Sequence, residues 1–157
     1  MAKQTVSIKV EGLAELEQSL LDLAEEFSTR NAKNVLRKAL RDAGQIIADA
    51  GEQNAPRRTG RLQESYSVSA KLSRRQKTLH RKESPIEVFV GPFPHARSVQ
   101  TEFGNVHQAA HPHLRPAWDA NVHRSLDIIV AQTKVRLEQT RARLVKRQAN
   151  LLAKTGQ

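Results

Sequence analysis

The spacing of apolar residues along the chain predicts helices that pack on short strands. Apolar and polar residues alternate over residues 5–10, which is the period of a half-buried strand, and Gly12 ends this pattern. Leucines then recur every three or four positions from Leu13 to about Phe27, as in an amphipathic helix. We therefore expect a strand followed by a helix at the start of the sequence.

A second, longer helix is predicted over residues 30–54. Thr29 or Asn31 would cap it, because short polar side chains accept hydrogen bonds from the first free N–H groups of a helix. Pro56 ends it, since the residue before a proline is pushed out of the helical region. The many alanines and Gly44 predict a flat face that presses closely against another element.

The residues after this helix predict a turn and two strands. Gly60 tolerates the positive φ of a turn, and Thr59 can form a hydrogen bond with the turn backbone. Apolar and polar residues then alternate, which predicts a strand over residues 62–72. A second strand is predicted over residues 86–90, closed by the Gly-Pro pair that follows it.

Three connecting segments lack a clear period. Residues 73–84 are polar and basic, and we interpret them as a mobile hairpin tip or loop. Residues 95–103 are expected to hold a short helix or strand, and residues 106–113 to form a loop that leads to the last helix.

The last predicted helix is far longer than the others. It begins near Ala117 and runs to about Ala153 without proline or glycine, a rod of roughly 55 Å at ~1.5 Å per residue. Its apolar stripe is dense only to about Val130, so we expect the contact with the core to end there. These features divide the chain into an α+β domain over residues 1–133 and a basic helical arm over residues 134–157 that projects from it, as an intersubunit helix or as a partly frayed tail.

Composition restricts the class of protein. The 157 residues suffice for one compact domain, which would bury about 70% of its unfolded surface. The absence of cysteine excludes disulfide bonds, thiolate metal sites and cysteine catalysis. No apolar run approaches the ~20 residues of a membrane span, and the start of the sequence lacks the apolar core of a signal peptide, so we expect a soluble protein made in a cytoplasm. Only 4% of the residues are aromatic, which indicates that burial is completed against a partner.

The charge of the chain is strongly positive. It carries 26 basic and 16 acidic residues, a net charge of +10, and this favours either nucleic acid or an acidic protein surface as a partner. Much of the basic charge lies in the turn around Gly60, in residues 73–84 and in the arm. The candidate interface or DNA-facing residues are Arg57, Arg58, Arg61, Arg74, Arg75, Lys77, Arg81, Lys82, Arg141, Arg143, Lys146 and Arg147.

The histidines raise the question of a metal site. His107, His111 and His113 have a spacing that zinc ligands can use. However, Glu102 is the only acidic residue close to them in sequence, and the chain offers no sulfur ligand. We therefore expect no metal, and we interpret these histidines as exposed or interface side chains.

Catalytic motifs are weaker still. Ser65, His95 and Glu102 could be combined into a triad, but no G-x-S-x-G elbow surrounds a serine. The seven glycines are scattered, and none clusters before a helix as a phosphate-binding loop requires. We expect neither catalysis nor a cofactor. Trp118, the only tryptophan, is predicted to anchor the start of the last helix in the core.

Five short motifs follow one another along the chain. They are Gly12-Leu13, APRRTGRLQES over residues 55–65, Val90-Gly91-Pro92, Glu102-Phe103-Gly104, and the segment from Pro112 to Ala117. In this order they resemble the tail-completion or neck proteins of long-tailed bacteriophages, the gene-ten-like morphogenesis family. The resemblance covers about residues 8–130. Asn105 and His113 depart from the family pattern, and the basic tail lies outside it.

The resemblance implies an α+β fold in which long helices pack on a small antiparallel sheet, and the residue pattern adds the long projecting C-terminal helix. It also implies a structural virion protein of the neck, assembled in the host cytoplasm as a homo-oligomeric ring, with a hexamer as the form that the family suggests. The partners it implies are head-closure proteins, tail-tube or tail-terminator proteins and packaged DNA passing through the channel, without a membrane. The alternative function is that of a basic nucleic-acid-binding protein.

Overall fold

The computed structural model describes residues 13–26, 28–93 and 97–155, and in this part it contains six helices and two strands. The strand predicted over residues 5–10 lies outside the described residues. The α+β fold with long helices and a small antiparallel sheet is confirmed. The elements are α1 (Leu13–Glu26), α2 (Thr29–Asn54), α3 (Arg61–Glu64), β1 (Tyr66–Ser69), α4 (Arg74–Leu79), β2 (Phe89–Pro92), α5 (Ser98–Phe103) and α6 (Leu114–Thr155).

The long helices α2 and α6 lie side by side in opposite directions and form the main body. Near the end of α2, Asn54 donates a hydrogen bond to the backbone carbonyl of His113 at 3.4 Å. Further along, the Ser125 hydroxyl donates to the backbone carbonyl of Ala43 at 3.3 Å. Helix α1 packs against this pair near the N-terminal end of α2. The apolar cluster there consists of Leu23, Ala32, Val35 and Leu137, with Leu20, Ala24 and Leu144 packed against it.

The N-cap of α2 differs from the prediction, although the helix itself is confirmed. Ser28 is the cap, and its hydroxyl oxygen accepts a hydrogen bond from the backbone N–H of Asn31 at 3.3 Å. The helix therefore begins at Thr29, and the proposed caps Thr29 and Asn31 are wrong. It ends as predicted, because Ala55 takes an extended conformation ahead of Pro56.

The two strands form an antiparallel pair that lies against α2. The register places Tyr66 opposite Pro92 and Val68 opposite Val90. A Cβ atom added at Gly44 would lie only 2.9 Å from Val90 and 3.1 Å from Val68. The predicted flat face of α2 is thus confirmed, since the sheet approaches the helix closely where a residue lacks a side chain.

The strand predicted over residues 62–72 is shorter than expected and begins later. The turn residue Gly60 has a φ of 77°, which confirms the positive φ expected there. The chain then enters α3, whose Leu62 is buried, and only afterwards β1. The prediction of a strand over residues 62–72 is wrong at both ends, because alternation over so few residues does not distinguish a helical turn from a strand.

The second strand and the loop before it also need correction. Residues 86–88 precede β2, and the Gly91-Pro92 pair forms its end rather than closing it from outside. Residues 73–84 are not all loop, because α4 forms behind a capping box between Ser73 and Gln76. The S-x-x-Q spacing at these positions is a sequence signal for the start of a helix, although the segment as a whole is polar and basic.

Helix α6 begins earlier, and packs further along its length, than the sequence suggested. Its 42 residues, a rod of roughly 63 Å at ~1.5 Å per residue, include Pro116 in the first turn, where the missing N–H has no helical partner to lose. The expectation that the core contact ends near Val130 is wrong: Thr133 is fully buried and Leu137 is 6% exposed. Residues 145–154 are all exposed, which agrees with a projecting end; the domain division at residue 133 stays a prediction.

We predict that Gly51→Ala destabilises the protein by about 1–3 kcal/mol. A Cβ atom at Gly51 would overlap the Tyr66 ring, lying 2.8 Å from its Cζ atom. Alanine favours a helix over glycine by ~1 kcal/mol, so helix propensity alone gives the opposite sign. Chemical denaturation measures the difference. A double variant with Tyr66→Leu should recover part of the loss, whereas a more stable Gly51→Ala protein would contradict the close packing.

Candidate functional site

The start of α6 is built on one buried carboxylate. Glu102, in the last turn of α5, is 5% exposed. Its Oε2 atom accepts hydrogen bonds from the backbone N–H groups of His113 at 2.8 Å and Leu114 at 2.9 Å. Its Oε1 atom accepts one from the N–H of Arg115 at 3.0 Å. Glu102 therefore caps a helix that begins twelve residues later in the chain, and its negative charge faces the positive end of the helix dipole.

The loop between α5 and α6 folds back so that this cap can form. Gly104 ends α5 with a φ of 76°, a conformation that favours glycine. Asn105 and Gln108 then pair their backbones, with the Asn105 N–H donating to the Gln108 carbonyl at 2.8 Å. The backbone N–H of His111 donates to the carbonyl of Thr101 at 2.8 Å, which ties the end of the loop to α5. The loop predicted over residues 106–113 is confirmed.

His113 and Tyr66 complete the buried cluster around the cap. The ring of His113 is 1% exposed, and its Nδ1 atom lies 3.5 Å from Oε2 of Glu102. The same nitrogen makes a short hydrogen bond with the Tyr66 hydroxyl, and the two rings meet edge to face with centroids 5.7 Å apart. The expectation that His113 is an exposed or interface imidazole is wrong, because it joins the start of α6 to β1.

These contacts shift the pKa values of all three side chains. Burial would raise the pKa of the Glu102 carboxyl, but the three backbone N–H groups at the start of α6 outweigh it and lower that pKa to about 2. Burial lowers the pKa of His113 against the attraction of the Glu102 carboxylate. Burial, with the Glu102 charge, raises the pKa of the Tyr66 hydroxyl. Near neutral pH the cluster therefore holds one negative charge, on Glu102.

The arrangement supports structure rather than bond-making chemistry. The hydroxyl of Ser65, a member of the weighed triad, donates to the backbone carbonyl of Leu62 at 2.7 Å, and Glu102 is occupied by the cap. His95 lies outside the described residues. Among the residues that are described, no three histidine or carboxylate side chains are grouped so as to hold a metal ion.

Next to the cap lies a cleft of about 660 Å³ that we call the basic cleft. It brings together Arg58 and Arg61 from the predicted basic turn with Arg97, which precedes α5 and which the sequence did not single out. The imidazole of His111 also lines the cleft, and none of the described lining residues is acidic. The remaining lining residues are Pro56, Thr59, Gly60, Leu62, Thr101 and Gln108.

The other predicted basic residues are spread over two regions. Arg74, Lys77, Arg81 and Lys82 are exposed on α4 and the segment after it, and Arg75 is also part of α4. On α6, Arg143, Lys146 and Arg147 line one side together with Lys154. Arg141 differs from these, because it lies 3.9 Å from Asp22 of α1 and so belongs to the packed part of the helix. Arg57 is exposed beside the basic cleft without lining it.

An apolar patch also lies at the start of α6. Trp118 is 51% exposed, so the prediction that it anchors the helix in the core is wrong. Val99 and Phe103 of α5 are more than half exposed, and the guanidinium of Arg115 lies 4.9 Å from the centroid of the Phe103 ring. Ala117 takes the buried position at the first turn instead.

The chain matches the model of a known protein family. The family model described as "Bacteriophage HK97-gp10, putative tail-component" matches residues 15–104, more than half of the 157-residue chain. It confirms the resemblance inferred from the sequence motifs, and its range ends at the Gly104 turn. No curated protein and no solved structure matches the chain. None of the described helices is long and apolar enough to cross a membrane.

We predict that Glu102→Gln lowers the free energy of unfolding by about 2–3 kcal/mol at neutral pH, because the first turn of α6 loses its charged acceptor and the amide group places a donor among N–H groups. Denaturation at neutral and strongly acidic pH measures this. The difference from the unmodified chain should shrink as the pH approaches 2, where Glu102 itself takes a proton. Ser65→Ala removes a nearby hydrogen bond without touching the cap, and a loss of equal size there would contradict the assignment.

The stability of the protein should also fall with acid in two stages. The folded-state pKa of His113 is lowered from 6.5, so the unfolded chain takes up a proton that the folded chain resists, and stability drops below about pH 6.5. The folded-state pKa of Glu102 is lowered from 4.5 to about 2, so a second loss follows between those values. Melting curves across this range measure both. His113→Gln should remove the first stage alone, and an unchanged pH profile in that variant would contradict a buried neutral imidazole.

Proposed function

The chain belongs to the HK97-gp10-like family of bacteriophage tail components, and we propose that it forms a ring at the head–tail junction. Family membership makes it a tail-related structural protein of the virion. In the proposed role, the ring completes the tail and connects it to the head-closure proteins. We propose a hexamer, assembled in the host cytoplasm.

The observation that carries this proposal is the helix end that leaves the body. Residues 145–154 extend α6 by roughly 15 Å, at ~1.5 Å per residue, beyond Leu144, the last residue that packs against the core cluster. Val145, Leu151 and Leu152 are all more than half exposed there. A helix of this length with apolar positions is supported by packing against a partner rather than by helix propensity alone.

The charge of this end limits the partners that fit it. Beyond Leu144 the described part of the helix carries Lys146, Arg147 and Lys154 and no acidic residue, whereas Lys134 and Arg141 already lie beside Glu15 and Asp22 of α1. Copies of such an arm repel one another unless opposite charge lies between them. An acidic surface on a head-closure, tail-tube or tail-terminator protein, or packaged DNA in the channel, supplies that charge. The proposed mechanism needs no cofactor.

Binding of nucleic acid is the second candidate function. The observation that favours it is the row formed by Arg143, Lys146, Arg147 and Lys154 along one side of the projecting end. If this row binds DNA phosphates in the isolated protein, the affinity falls steeply as the salt concentration rises. Ring formation without DNA supports the first function instead.

We predict that a chain ending at Val145 folds but does not join heads to tails. The deletion leaves Leu137 and Leu144 in place, so the melting temperature should stay within a few degrees of that of the full chain. A phage that lacks the gene and receives the truncated protein in trans should accumulate separate heads and tails, counted by electron microscopy. Replacing Lys146, Arg147 and Lys154 by glutamine in the full-length chain tests charge without shortening the helix. A normal yield of infectious virions from the truncated chain would contradict the proposed role of this end.

A further inference from the structure

The basic cleft and the outer face of α1 are exposed surfaces of opposite charge. We propose that the basic cleft of one copy binds the acidic face of α1 on a neighbouring copy. This inference rests on the proposed ring, and it names the contact that would hold the copies together.

The basic cleft has the properties of a preformed site for carboxylates. Arg58, Arg61 and Arg97 are exposed, and none of them makes an ion pair within the described ranges. Hydrogen bonds fix the backbone on both sides of the basic cleft. The His111 N–H donates to the Thr101 carbonyl at 2.8 Å on one side. On the other, the Gln63 side chain donates to the carbonyls of Ala55 at 3.1 Å and Glu52 at 3.3 Å. Guanidinium groups bind carboxylates in pairs of parallel hydrogen bonds, so such a cleft favours acidic side chains.

Helix α1 supplies the complementary charge. Its sequence LAELEQSLLDLAEE contains five acidic residues and no basic one. Two of them face α6 of the same copy, since Glu15 lies 4.0 Å from Lys134 and Asp22 lies 3.9 Å from Arg141. Glu17 and Glu25 are exposed and make no ion pair with any described residue.

The arrangement of the unpaired carboxylates on α1 also favours an external partner. Glu17, Leu21 and Glu25 are spaced four residues apart, so they form one ridge along the helix. Leu21 is 55% exposed at its centre and offers an apolar contact between the two charges. Glu25 lies in the last turn of α1, which contains no basic residue, so its charge meets the negative end of the helix dipole. Cations from another copy would relieve this repulsion.

The positions of the two surfaces suit a ring. The basic cleft begins beyond the C-terminal end of α2, at Pro56, whereas α1 packs near the N-terminal end, where Leu23 meets Ala32. The interval from Ala32 to Pro56 corresponds to roughly 35 Å along the helix axis. One copy can therefore use both surfaces at once. A contact between two different surfaces joins the copies head to tail. Such a contact generates a closed ring when the rotation from each copy to the next adds up to a full turn.

Charge reversal tests the contact. One variant carries Arg58→Glu and Arg61→Glu, and another carries Glu17→Lys and Glu25→Lys. Each variant alone should form the oligomer with a dissociation constant that is higher by ~tenfold or more, because like charges then face each other. An equimolar mixture should recover association, since the acidic α1 of the first fits the basic cleft of the second and the reversed pair also attracts. Sedimentation and mass photometry measure the oligomers, and a variant with Arg74→Glu and Lys77→Glu is the matched control away from the cleft.

Cross-linking gives a second measurement, because the chain has no cysteine of its own. Leu21→Cys and Gln108→Cys in one chain should form an intermolecular disulfide ladder, whereas either substitution alone should give dimers at most. A ring that forms unchanged in both charge-reversed variants, without the ladder, overturns this contact and leaves the proposed ring standing. Loss of DNA binding in the Arg58→Glu, Arg61→Glu variant with unchanged self-association also overturns it. Wild-type protein that forms no oligomer alone or in virions contradicts the ring itself.

Discussion

The carboxylate of Glu102 is the interaction on which the rest of the architecture depends. A helix of 42 residues leaves its first N–H groups without partners, and three of them meet this one side chain in a buried position. The same contact fixes where α6 starts and ties its first turn to α5. His113 and Tyr66 extend the contact to β1, so helix and sheet are joined at one point.

The close fit between α2 and the sheet is the second constraint. Gly44 and Gly51 are seven residues apart, so they lie on one face of the helix, and both are positions where a Cβ atom would overlap the sheet. Tyr66 is held between Gly51 on one side and His113 on the other. The small sheet is therefore stabilised by packing on a long helix, since a two-stranded ribbon alone has little stability in water.

With the interior organised in this way, what remains for function lies on the surface. The buried charge of Glu102 is satisfied by backbone groups, whereas the guanidinium groups of the basic cleft and the carboxylates of Glu17 and Glu25 face solvent. The arm adds basic charge beyond the last core contact at Leu144. The basic cleft and the acidic ridge of α1 thus lie on separate surfaces, and this separation underlies the proposed contact between copies.

The sequence by itself determined the local properties of this protein. Apolar periodicity identified the two long helices, Pro56 the end of α2, and Gly60 a turn with positive φ, because each depends on nearby residues alone. The five motifs also identified the family, although their order along the chain does not show which of them meet in the fold. Tertiary structure decided what those motifs do. The glutamate of one motif caps the helix opened by another, and His113 is buried between them. It also decided that α6 stays packed to Leu144 and that Arg97 joins the basic cleft. Each of these contacts is between residues that are distant in sequence. The spacing of residue types along the chain does not show which distant residues come close in space.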